Sequence, residues 1–215
     1  MKRGSGNRQL CSIILTVLAF TVLIPMAQAS VLGVGGTQPP SPLFPGGTLL
    51  AQLSGTVTTF TFSTDYTTWV YRDPLNSWCV NCLDFVYQFT NHGPDVNQRY
   101  TMYNFGGFNI DAGTDPFGAH DPITVSRSMM GNGQVISFNF DQFGDEILPG
   151  ETTVELVIET DALYFTTGYL SVQNGTAGSG VAFAPTIPEP ASLVMLGTGL
   201  ITLGGFLRSR LGKRD

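Results

Sequence analysis

The middle of the chain predicts an all-β fold, an antiparallel β-sandwich or jelly roll, and two observations carry that reading. Short runs alternate apolar and polar residues with a period of two, and segments rich in Gly, Pro and Asn separate them. Outside the termini no run shows the 3.6-residue period that an amphipathic helix needs. Residues 31–187 number 157, enough for one domain with its own core.

In chain order, residues 30–47 (from Val31, VLGVGGTQPPSPLFPGG) lack periodicity and read as a Gly/Pro-rich extension or an irregular edge segment. The β-domain then runs from 48 to 187. TVTTFTFST (56–64) and RYTMYNF (99–105) read as strands because Thr and aromatic residues fill them. LDFVYQFT places Phe85, Tyr87 and Phe89 on one face, and QVISFNF does the same with Ile136, Phe138 and Phe140. The clearest alternation is ETTVELVIET: Val154, Leu156 and Ile158 face inward, while Thr153, Glu155 and Glu159 face solvent on a half-buried strand. HGPD, GNG, LPGE and NGTAGSG supply turn chemistry between the strands. No internal repeat is visible. Asn174-Gly175-Thr176 fits a glycosylation sequon, relevant in a host with that machinery.

Both ends read as addresses. Lys2, Arg3 and Arg8 precede an uncharged run of 15 residues, Leu10 to Ile24. Pro25 follows, and Ala27 and Ala29 then place small residues at the −3 and −1 positions of a cut before Ser30. That is the order of a secretory signal peptide over residues 1–29, a helix handed to the Sec machinery and signal peptidase. At the other end, Ala191 to Leu207 is a 17-residue uncharged run interrupted by Gly197, Gly199, Gly204 and Gly205. As a single transmembrane helix it reaches roughly 25 Å, enough for a thin bilayer. Arg208, Arg210, Lys213 and Arg214 follow as a basic stop-transfer cluster that stays cytoplasmic.

Charge narrows the partners. The whole chain has 10 Lys+Arg and 16 Asp+Glu. Between the two address segments only Arg72, Arg99 and Arg127 remain, three against fourteen acids, hence a formal net of −11. Such a surface repels nucleic acid and favours cations over anions.

Candidate chemistry in the middle is sparse. Trp78-Cys79-Val80-Asn81-Cys82 matches W-C-x-x-C, but redox catalysis needs the first Cys at a helix N-terminus, and here a turn precedes and a strand follows. Cys79 and Cys82 are the two cysteines left after export, so a structural disulfide is the expected state in an oxidising compartment. Zinc would need partners beyond them, and His92 and His120 lie in separate turns without a paired spacing. Asp111, Asp115 and Asp121 in NIDAGTDPFGAHDP (109–122) leave calcium open, although the spacing matches no EF-hand and Asp in such loops more often makes Asx turns, which is the favoured reading. No G-x-S-x-G, H-E-x-x-H or phosphate loop occurs. No catalytic residue, metal site or cofactor is therefore assigned, and the protein is expected not to be an enzyme. A carbohydrate-binding module would instead require an exposed row among Trp69, Tyr71, Trp78, Tyr100 and Tyr103. A secreted hydrolase would need a cleft with convergent polar groups of shifted pKa.

Pro188-Glu189-Pro190, then Ala191-Ser192-Leu193, the Gly-interrupted span and the basic cluster together resemble a PEP-CTERM sorting signal over residues 188–215. The resemblance implies recognition and removal of the tail by an exosortase in the envelope of a Gram-negative bacterium. It implies display or release at the cell surface or in an exopolysaccharide and biofilm matrix, with extracellular polysaccharide as a candidate partner. In that reading Pro188, Glu189 and Pro190 serve another enzyme's chemistry.

Overall fold

The computed structural model describes residues 31–116, 120–141 and 144–187. Twelve strands form two six-stranded sheets and enclose one core. They are β1 (Thr37–Gln38), β2 (Ser41–Pro42), β3 (Thr48–Thr58), β4 (Phe62–Asp73), β5 (Cys82–Pro94) and β6 (Arg99–Tyr103). The rest are β7 (Ile110–Thr114), β8 (Thr124–Arg127), β9 (Val135–Asn139), β10 (Leu156–Thr160), β11 (Tyr164–Asn174) and β12 (Thr176–Thr186). Sheet A has the order β1-β8-β9-β6-β11-β12 and sheet B the order β2-β7-β10-β5-β4-β3. Every neighbouring pair is antiparallel except β2 with β7, which is parallel. The described residues are all-β, as the alternation predicts.

The alternating residues do what the period-two rule requires. Phe85, Tyr87 and Phe89 enter the core from sheet B with Leu156 and Ile158, and Ile136 and Phe138 enter from sheet A, with Phe140 just past β9. Phe89 stacks on Tyr100 with ring centroids 4.1 Å apart, joining the two sheets at the centre. The Tyr87 hydroxyl crosses the same gap and donates to the Phe183 carbonyl at 2.8 Å.

Four expectations change. TVTTFTFST is not one strand: β3 ends at Thr58, residues 59–61 turn, and Phe60 at the tip is exposed. The Thr59 hydroxyl accepts from the amides of Thr61 and Phe62, so local side-chain bonding overrides β propensity there. HGPD lies within the end of β5 down to Pro94, not in a free turn. In NGTAGSG the chain reverses around Gly175 and Thr176 already begins β12. The later glycines are there for space: a Cβ at Gly180 would meet the Tyr66 hydroxyl of β4 at 2.7 Å, and one at Gly178 would collide with Val57 of β3.

The fourth concerns residues 31–47, which are not an extension: of the two readings the irregular edge segment holds, since β1 and β2 lie at the edges of the two sheets. Leu32 is fully buried in the main core and its amide donates to Ile110 O at 2.9 Å. β1 then extends sheet A beside β8, and β2 extends sheet B beside β7. The segment therefore crosses from one sheet to the other. Beyond β2, Leu43 packs with Val86, Val157, Trp69 and Tyr71 in a second small core on the outer face of sheet B. That cover explains why β10 is buried on both faces rather than half-buried.

Among the described residues no helix is long and apolar enough to cross a membrane. The signal helix with Ala27 and Ala29, the span 191–207 and the basic tail lie outside the described residues.

An acidic cleft on the covered face of sheet B

Cross-strand register assembles a row of acids. Asp84 on β5 is directly opposite Glu159 on β10, and Glu159 is directly opposite Asp111 on β7. All three point to the outer face of sheet B, and all three are buried, Asp84 and Asp111 completely. Asp73, at the end of β4, is buried at the edge of the same row. Glu159 thus has the outward facing that alternation predicts, in an environment that alternation does not reveal.

Two pieces of chain cover the row. One is residues 74–81, the loop between β4 and β5 that holds the W-C-x-x-C motif. Asn76 pins it: Nδ2 donates to Asp84 Oδ1 at 2.7 Å and to Thr160 O at 3.2 Å, while Oδ1 accepts from Trp78 N at 2.8 Å. The Ser77 hydroxyl and amide both donate to Glu159 Oε2. Asp73 Oδ1 accepts from Leu75 N at 2.8 Å. The second cover is the Pro-rich segment, from which the Ser41 hydroxyl donates to Asp111 Oδ1 at 3.0 Å.

Between the covers opens a cleft of about 720 Å³. Its walls include Pro40, Pro42, Leu43, Phe44 and Leu75, and Asp73, Asp111, Glu159 and Ser77 give it a polar floor. Asp84 lies behind that floor. Burial pushes its carboxyl up to about 8, and the negative charges of Glu159 and Asp73 act in the same direction, against the opposing Asn76 hydrogen bond.

Cys79 and Cys82 form a disulfide, with Cα atoms 5.4 Å apart. No helix follows Cys79: residues 77–81 are bend and turn, and Cys82 starts β5. The bond closes the cover over the acid row. His92 Nε2 contacts Asp65 Oδ2 at 2.9 Å and His120 Nε2 contacts Glu151 Oε1 at 3.4 Å, so each histidine meets a carboxylate rather than a cysteine. Asp111 sits within β7, not in a loop with Asp115 and Asp121. Among the described residues no group of three or more His, Cys, Asp or Glu side chains is arranged to hold a metal ion.

The aromatic row does not form. Tyr100 is fully buried against Phe89 and Phe140. Trp69, Tyr71, Trp78 and Tyr103 are half-buried, and Trp69 and Tyr71 pack under Leu43 on sheet B while Tyr103 belongs to sheet A. Sequence reasoning misses the cleft because its acids come from three strands distant in the chain. The signal available, two acids at outward positions of apolar strands (Asp84 in LDFVYQF and Glu159 in LVIET), is what ordinary solvent-facing residues also give.

A covered β-sandwich ahead of a C-terminal address defines the class: an exported β-domain protein. Residues 186–210 match the family model of the PEP-CTERM protein-sorting motif, which marks an exported, envelope-targeted chain with an exosortase as its processing partner. No curated protein and no solved structure matches the chain. Pro188, Glu189 and Pro190 fall inside the matched motif, outside the described residues.

Proposed function

We propose that the chain is a cell-surface or matrix protein, anchored until an exosortase removes its tail, whose β-sandwich binds or spaces without catalysing a reaction. The observation that carries this reading is the junction. The matched motif begins at residue 186, and β12, the last strand among the described residues, ends at Thr186. Removal of the tail beyond the Pro-Glu-Pro therefore takes no strand from either sheet. The cleft does bring together the convergent polar groups, with raised Asp84 behind them, that a hydrolase would need, but its acids are engaged in holding the covers, which favours the non-catalytic reading: Glu159 and Asp73 hold the loop, and Asp111 accepts from Ser41 and from the Ala112 amide. Mass spectrometry of the mature protein tests the processing. A C-terminus close to residues 187–190 is expected, and an intact tail ending at Asp215 would sink the reading.

Polysaccharide binding remains the second reading, now centred on the cleft. Phe44 and Leu75 stand exposed at its rim above the carboxylates. An apolar wall beside hydrogen-bond acceptors suits a sugar ring and its hydroxyls. A glycan array with the secreted domain should give signals that Phe44→Ala removes. A blank array rejects it.

A further inference from the structure

The acid row raises a physical problem. Like charges directly opposite on neighbouring strands repel, and a buried charge is costly unless paired. Asp84 has its Oδ1 bonded to Asn76, but its Oδ2 is buried without a hydrogen-bond donor among the described residues. Its diagonal neighbour on β4, two residues beyond the directly opposite Tyr71 and on the same face, is another buried carboxyl, that of Asp73, and the interaction of the two raises Asp84. Two carboxyl oxygens in contact attract when one proton lies between them and repel when none does.

We propose that Asp84 and Asp73 share one proton, and that this proton latches the disulfide loop, residues 74–81, onto sheet B behind the floor of the cleft. The groups facing the pair come from every element packed around it. β4 supplies Asp73 and half-buried Tyr71, β10 Glu159, β7 Asp111, the loop Asn76 and Ser77, and the N-terminal segment Ser41. None is a cation. Arg72 is opposite Leu83, a core residue, and so lies on the other face from Asp84. Asp161, one alternation beyond Glu159, is engaged by Asn109. Asp84, fully buried and with one oxygen left without a donor, is therefore the acid that stays protonated at neutral pH, with its carboxyl raised to about 8.

Asp73 is also the loop's anchor. Its side chain accepts from Leu75 N, and its carbonyl accepts from Asn81 N at 2.9 Å. When the shared proton passes to solvent base, two adjacent carboxylates remain, and the repulsion falls on the residue that holds both ends of the loop. Loosening the loop uncovers Glu159 and enlarges the cleft.

Trp78 lies in this loop, and the chain's other tryptophan is Trp69. The full-length Trp69→Phe protein thus carries one reporter. Its fluorescence, followed from about pH 5.5 to about 9, should show one reversible step with a midpoint of about 8. Asp84→Asn should abolish the step, and Asp73→Asn should move it to lower pH by removing a neighbouring negative charge. No step in the folded protein, or the same step in Asp84→Asn, overturns the proposal. If Asp84→Asn fails to fold, an unmoved midpoint in Asp73→Asn overturns it. A step that appears only when EGTA replaces calcium chloride also overturns it, because the row would then be held by a divalent cation.

Discussion

Arg127 is buried, and its guanidinium donates to four backbone carbonyls: Gly133 O at 3.0 Å, Leu32 O at 3.1 Å, Phe105 O at 3.3 Å and Phe108 O at 2.8 Å. These acceptors belong to the start of the described chain, to the β8–β9 loop of sheet A and to the β6–β7 loop that joins the two sheets, so one side chain closes that end of the sandwich. Burial lowers its pKa, while Asp161 opposes the shift. Arg127→Met keeps the bulk and leaves buried acceptors unpaired, at about 1–3 kcal/mol each before relaxation. The expected loss is about 3–5 kcal/mol, seen as a lower urea midpoint at unchanged slope. Arg127→Lys should recover little, because a single ammonium cannot reproduce the fork. Nothing in the sequence marks this residue. TVSR gives a strand end and a positive charge, and the four acceptors come from positions up to 95 residues away. Asp84 is legible as a polar position on the outer side of an apolar strand, but its burial depends on a cover that the strand itself does not encode.

That cover is a matter of elements. β2 is two residues long, yet it runs parallel to β7 and carries the Pro-rich segment over the acid row. The approach is close at Gly113, where an added Cβ would collide with the Ser41 carbonyl oxygen. Gly113→Ala should displace β2, cost about 1–3 kcal/mol, and raise hydrogen exchange across residues 39–47 while leaving β11 and β12 protected. The disulfide loop is the other cover. Replacing Cys79 and Cys82 by Ser removes a very short closure, so the loss should be no more than about 2 kcal/mol in a denaturation curve. A larger loss would mean that the bond orders sheet B and not the loop alone. Strands with strict alternation were legible, as Phe85, Tyr87 and Phe89 show. The N-terminal segment was not, because a two-residue strand has no period to detect and Pro and Gly equally describe an extension. TAGSG was hidden for a different reason: Gly178 makes room for Val57 of β3 and Gly180 for Tyr66 of β4, contacts visible only when β12 lies across those strands.

At the scale of the molecule, the all-β class follows from periodicity alone, but the sheet order does not. The chain changes sheet after β1, β5, β6, β7, β9 and β10, and such pairings depend on contacts between residues far apart in the sequence. Charge was legible as a sum and not as a distribution: the excess of acids was plain, and their concentration on the covered face of sheet B was not. This distribution determines how stability responds to pH. Asp84 titrates near 3.8 when unfolded and at about 8 when folded. Between those values the folded state holds a proton that the unfolded state has released, so stability falls as pH rises, by at most about 1.4 kcal/mol per unit from this group. Glu155, raised by burial, adds a contribution of the same sign. Asp65, lowered chiefly by its Thr56 hydrogen bond, works in the opposite sense: its contribution is present above its unfolded value of 3.8 and is lost as pH falls below it. The protein should therefore melt at a higher temperature at about pH 5.5 than at about pH 8.5, with a turnover on the acid side below about pH 4. Asp84→Asn should flatten the interval between about 5.5 and about 8.5 and leave the acid turnover in place. Scanning calorimetry across that range decides the matter, and a melting temperature that rises toward alkaline pH would show that the buried row is not carrying the extra proton.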